Sequence, residues 1–166
     1  MAKSSKSKLS PAAARVVASL ERFLAANWER QPKDVAALRR HKRPPMGNLP
    51  CVIYANFDTF WLGEMTQVMR AQARQRAMPV KQLNAVAAAI IARHAARLGK
   101  WGFADTVREL GAVQAFFSGP GARSHAEFAA IAEALLVALD RINAWIDAAI
   151  PWSRLDKALK LCPVPA

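Results

Sequence analysis

Residues 118–150, SGPGARSHAEFAAIAEALLVALDRINAWIDAAI, carry the clearest local instruction in this chain of 166 residues. The Ser-Gly-Pro-Gly run at 118–121 stops whatever precedes it, because glycine and proline together interrupt regular structure. Ser124 and Glu127 then stand at capping-box spacing, with the serine oxygen and the glutamate each answering an otherwise free amide at a helix start. Beyond them Phe128, Ile131, Leu135, Leu139, Ile142 and Ile146 recur at intervals of three and four, the period of one helix face. The other side is mostly small, with Ala130, Ala134, Val137, Ala138, Ala144 and Ala148. A helix reaching Ile150 and apolar nearly all round belongs at the centre of a bundle or beneath another subunit.

Working outward, the same period runs through most of the chain, and no alternating pattern of useful length appears. A helix over Phe103 to Phe117 precedes the break, and Gly102 separates it from another that Pro79 opens and that ends before Gly99. The stripe of the latter is Leu83, Val86, Ala87, Ile90, Ile91, His94 and Leu98, flanked by Arg93 and Arg97 one turn apart. Before that, a helix over about Asp58 to Ala77 gathers Phe57, Phe60, Trp61, Met65, Val68 and Gln72 on one face, read as core, with Arg70 and Arg74 opposite. Val52, Ile53 and Tyr54 favour extended backbone, but a lone strand has no partner in this chain, so Cys51 to Phe57 is read as a helix lead-in.

Closer to the N-terminus, Pro44 to Pro50 is read as a loop, and Lys33 to about Lys42 as a short basic helix. Ser10 and Pro11 suit a cap and a first helical residue. The helix they start runs to about Arg30, with Ala13, Val16, Leu20, Phe23, Leu24 and Asn27 inward and Arg15 and Arg22 outward. At the other end Pro151 and Ser153 restart a short last helix. The reading is all-α: one bundle of six or seven helices over residues 10–162, a flexible basic arm over 1–9 and a frayed end over 163–166.

An apolar content of 53% supports a full core in one domain. Two distant cysteines, Cys51 and Cys162, make neither a metal knuckle nor a disulfide framework, which fits a reducing compartment. The basic start lacks the uninterrupted apolar run of a signal peptide, and Ala85 to Ala92 falls far short of the roughly 20 residues that span a bilayer. A soluble cytoplasmic protein is expected.

Catalytic patterns are missing from the sequence. His41, His94 and His125 have no ligand-type residue at the helical spacing of a zinc or di-iron site, so no metal and no cofactor are expected. His94, within an apolar stripe, reads as a hydrogen-bonded core or interface residue. No nucleophile elbow and no phosphate loop ending in Gly-Lys-Ser/Thr occurs, and the Gly119, Pro120, Gly121 turn reads as a linker. Enzyme activity is not expected.

Charge gives the functional clue. Residues 1–50 hold eleven Lys/Arg against three Asp/Glu, residues 51–100 seven against two, and residues 101–166 six against seven. An asymmetry of this kind points to a polyanion at one end and protein at the other. Arg39, Arg40, Lys42 and Arg43 form the strongest cluster, Arg70 and Arg74 a second row, and Arg93 and Arg97 a third. Arginine forks hold phosphate oxygens, and counterion release adds affinity without base specificity. Trp145 and Trp152, in the neutral end, read as anchors for a protein partner or for self-association.

No base-reading motif accompanies these residues. In size, helicity and basic character the chain resembles the helical small subunits of CRISPR effector complexes, a likeness of class that rests on no shared motif. The resemblance implies copies lining up along a guide RNA or target strand, without catalytic residues. The expected function is non-catalytic binding of an RNA or DNA backbone within a larger nucleoprotein complex. The alternative is a helical adaptor or oligomeric scaffold for an acidic protein or an anionic membrane surface.

Overall fold

The computed structural model describes residues 9–28, 48–100 and 104–149, and every regular element among them is an α-helix. These are α1 (Pro11–Trp28), α2 (Asn48–Gln75), α3 (Val80–Lys100), α4 (Ala104–Ser118) and α5 (His125–Ala149). The described residues thus hold five helices where six or seven were expected. The expected helices at 33–42 and after Pro151, residues 1–8 of the arm expected over 1–9 and the end over 163–166 lie outside the described residues, while Leu9, the last residue of that arm, packs against the core.

The helix expected from Asp58 begins ten residues earlier, at Asn48, so the last three residues of the expected loop and all of Cys51 to Phe57 are helical. Pro50 permits this because it sits in the first turn, where its missing N–H removes no intrahelical bond.

Helix α5 is the axis. It packs along α2 and α1 and touches α3, while α4 packs on α3 and α1, and α3 on α2. Phe128, Ile131, Leu135, Leu139 and Ile142 are buried as the period predicts, and Ala132 and Ala138 are buried beside them. The small residues let neighbouring helices approach closely, but the small-residue side is only partly covered: Ala138 is buried, Ala130 and Ala134 are half-buried, and Val137 and Ala144 are exposed. Rings of Phe116, Phe117 and Phe128 close one part of the core, with successive centroids 5.4 and 5.3 Å apart.

Helix α2 corrects the sequence reading. Its inward series is Thr59, Leu62, Thr66, Met69 and Ala73, alternating steps of three and four. The face read as core points out instead: Phe57 is 52% exposed, Phe60 48%, Trp61 55% and Val68 52%, with Met65 and Gln72 half-buried. Polar pairing fixes this rotation. Buried Asn56 donates from Nδ2 to Asn143 Oδ1 on α5 at 3.0 Å, and buried Asp58 accepts from Arg97 on α3 at 2.9 Å. Buried Thr66 is satisfied within its own helix, its hydroxyl donating to Leu62 O at 2.7 Å. Turning α2 to bury the aromatics would break the two bonds that span helices, from Asn56 to Asn143 and from Arg97 to Asp58, each worth about 1 kcal/mol.

Candidate functional site

Short polar bonds gather three chain segments at one end of the bundle. Helix α2 closes with Arg76 N–H bonded to Ala73 O and Ala77 N–H bonded to Gln72 O, and Arg76 takes a left-handed φ of 52°. Two residues on, the Met78 carbonyl accepts from His125 Nε2–H at 2.9 Å. Asn84, in the second turn of α3, grips Ala122 twice, accepting its N–H at 3.0 Å and donating to its carbonyl at 2.9 Å. The α2–α3 turn is thereby fastened to the start of α5.

The beginning of α1 joins the same place. Ser124 Oγ accepts from Glu127 N–H at 3.1 Å, as the capping spacing predicts. The Glu127 carboxylate takes the Arg123 amide on one oxygen and the Ser10 amide on the other, both at 2.6 Å. Ser10 in turn caps α1, its Oγ accepting from Ala13 N–H at 3.2 Å.

Arg76, Lys81 and Arg123 are exposed at this end, and Arg74, Arg76, Ser124 and His125 line a shared concavity. Glu127 is the one carboxylate within residues 72–85 and 118–127, and it is buried with both oxygens occupied. The N-terminus of α5 adds its own positive potential. Of these cations only Arg74 is placed in a binding row by the sequence, where Arg123 stands beside a turn read as a linker; Arg76, Lys81 and Arg123 join Arg74 only when the turns are closed.

The expected arginine rows are otherwise divided. Arg70 and Arg74 both pair with Glu133 of α5, Arg74 at 3.1 Å, and the Arg70 side chain is 19% exposed. Arg97 is held by Asp58, and Arg93 is exposed one turn before it. Asp58 and Arg74 are 16 residues apart on α2, about 24 Å, so the two rows occupy separate parts of the molecule. Arg39, Arg40, Lys42, Arg43 and Trp152 lie outside the described residues, as does the side chain of Trp145.

His94 has a partner that α3 alone does not reveal. Its Nδ1 lies 3.3 Å from Asp58 Oδ1, without a well-aligned hydrogen bond. Burial pushes its pKa below the ordinary 6.5; Asp58 opposes that shift, and the charges of Arg97 and Arg93 reinforce it. The result is a neutral imidazole beside an ion pair that ties α2 to α3. No cluster of three or more potential metal ligands occurs among the described residues.

A second surface lies between α2 and α5. Thr59, Phe60, Glu64 and Gln67 form one wall of a groove, and Glu133, Val137 and Asp140 belong to the other. Val137 is 42% exposed and, with Phe57, Phe60, Trp61 and Val68, completes the set of exposed large apolar side chains among the described residues. No protein-family model, curated protein or solved structure matches this chain. No described helix is long and apolar enough to cross a membrane.

Proposed function

We propose that this protein binds nucleic acid without catalysis, gripping the sugar-phosphate backbone as a helical subunit of a larger nucleoprotein complex. The observation that carries the reading is the cationic end, where Arg76, Lys81 and Arg123 stand exposed and the exposed carboxylate that reaches Arg74, Glu133, is shared between Arg70 and Arg74. The chain's first residues, with Lys3, Lys6 and Lys8, lead into Ser10 at that same end. The overall charge distribution agrees. Residues 9–28, 48–100 and 104–149 hold twelve of the 24 Lys/Arg but nine of the 12 Asp/Glu, leaving the remainder strongly basic. Backbone contacts of this kind give affinity that falls steeply with salt and discriminates little among base sequences.

The test is fluorescence anisotropy of labelled single-stranded RNA, single-stranded DNA and duplex DNA across a salt series. Salt-steep binding to at least one polymer is expected, weakened about equally for unrelated sequences when Arg39, Arg40, Lys42 and Arg43 are replaced by alanine. Feeble binding to all three overturns the reading. The adaptor alternative draws on the same cations, and competition separates the two: a nucleic-acid binder prefers a polynucleotide to anionic vesicles of equal charge.

A further inference from the structure

From the α2–α5 groove we infer a protein-docking surface that takes a cationic amphipathic helix, one presenting Lys or Arg on either side of large apolar anchors. The rotation of α2 leaves apolar side chains uncovered beside the groove. Phe57, Phe60, Trp61 and Val68 face solvent on one helix, and Val137 does so on the antiparallel neighbour; of these, Phe60 and Val137 line the groove itself, and Phe57, Trp61 and Val68 lie outside its lining. Isolated exposed apolar residues are ordinary, but here every large one among the described residues falls on these two adjoining helices. Phe60 and Trp61 meet edge to face, with centroids 6.0 Å apart, so the ridge presents a defined shape.

The charge of the groove selects the occupant. Glu64, Glu133 and Asp140 line it against a single arginine, Arg70, in a chain whose net charge is +12. Glu133 is committed to Arg70 and Arg74, whereas neither Glu64 nor Asp140 pairs with another described side chain. A nucleic acid would bring phosphates to these carboxylates, and an acidic protein would bring like charge. A basic segment meets opposite charge here and repulsion over the cationic end.

The dimensions suit a helix. Groove residues run from Thr59 to Arg70 on α2 and from Glu133 to Asn143 on α5, about three helical turns on each wall. A groove between two helices receives side chains spaced three and four apart, the pattern of helix-in-groove recognition. The inference stands apart from the nucleic-acid reading, since it uses a different face and the opposite charge.

The probe is a fluorescein-labelled synthetic peptide of leucine and lysine in amphipathic helical order, titrated with the full chain and read by anisotropy. Its leucine–glutamate counterpart and a single-stranded RNA serve as comparisons. Binding of the leucine–lysine peptide is expected to weaken about tenfold in a Phe60→Ala, Val137→Ala double variant. It should weaken similarly in a Glu64→Lys, Asp140→Lys variant, which should also gain affinity for the leucine–glutamate peptide. Both pairs are exposed, and an unchanged circular dichroism melt establishes that the fold persists. Failure of the wild-type chain to bind the leucine–lysine peptide, or equal binding by either variant, overturns the inference. RNA binding that depends on Phe60 and Val137 overturns it in favour of a nucleic-acid face. Loss of RNA binding with peptide binding intact counts only against the nucleic-acid reading.

Discussion

The carboxylate of Glu127 joins two helix starts that are distant in sequence, accepting the amide of Ser10, 117 residues away, and the amide of Arg123 beside it. One buried side chain thus supplies acceptors to the approach of α1 and of α5 together. Burial raises the pKa of this carboxyl, but the bonds from Ser10 and Arg123 and the Arg123 charge outweigh it and hold it below the ordinary 4.5.

Glu127→Gln is therefore expected to destabilise the fold by about 2 kcal/mol, because one amide loses a charged acceptor and meets a donor instead. Urea denaturation at neutral pH measures this. The sign of the pH effect follows from a folded pKa depressed below the unfolded one. The stabilisation is fully present above the unfolded value near 4.5 and is lost as pH falls through the lower folded value. In Glu127→Gln that part of the acid dependence should vanish. A variant as stable as the wild type would show that the charge and second oxygen of Glu127 are not needed to hold the two amides.

Gly121 has a φ of +60°, and a Cβ there would lie 2.6 Å from Asn84 Nδ2. Asn84 cannot swing aside cheaply, since both ends of its amide are bonded to Ala122. Gly121→Ala should cost about 2–4 kcal/mol, combining the left-handed penalty with the clash. In a double-mutant cycle, Asn84→Ala should cost less in the alanine background than in the wild type, because it also relieves the overlap. Additive costs in thermal melts would mean that the turn moves away from α3 instead.

Helical class and the order of elements were legible because apolar spacing and caps are local. Ser10, Ser124 and the 118–121 break all act within a turn or two of themselves, and the small residues of α5 announced a central helix. The rotation of α2 was not legible. Its aromatic stripe is the larger apolar signal, yet the inward face is chosen by pairs that span helices: Asn56 with Asn143, and Asp58 with Arg97. The same limit hid the role of Glu133, which claims Arg70 and Arg74 from 63 and 59 residues away. A usable hint was the inward series itself, where Thr59, Leu62, Thr66, Met69 and Ala73 keep strict alternation of threes and fours although two members are polar.

His94 supplies a separate pH dependence at milder acidity. Its folded pKa is lowered, so the buried ring stays neutral while the unfolded chain takes up a proton below about 6.5. Stability is thus fully present above 6.5 and declines as pH falls toward the folded value, below which this contribution is gone. His94→Gln should flatten the melting temperature across that window, and Asp58→Asn should steepen it by removing the charge that favours the protonated ring. Parallel pH profiles of the wild type and His94→Gln would place the acid sensitivity in another group.

Arg76 links stability to the proposed binding. As the residue just beyond α2 it adopts φ 52°, where glycine is the usual occupant because a Cβ is disfavoured. An arginine at this position costs the closure about 1 kcal/mol relative to glycine. Local strain kept at an exposed position is reasonable where the side chain has a task, and here it stands beside Arg74 at the cationic end. Arg76→Gly should stabilise the protein by about 1 kcal/mol in urea titrations while weakening polynucleotide binding and reducing the salt slope by about one. Arg76→Lys should leave both the strain and the slope close to wild type. Greater stability with unchanged binding would remove Arg76 from the interface.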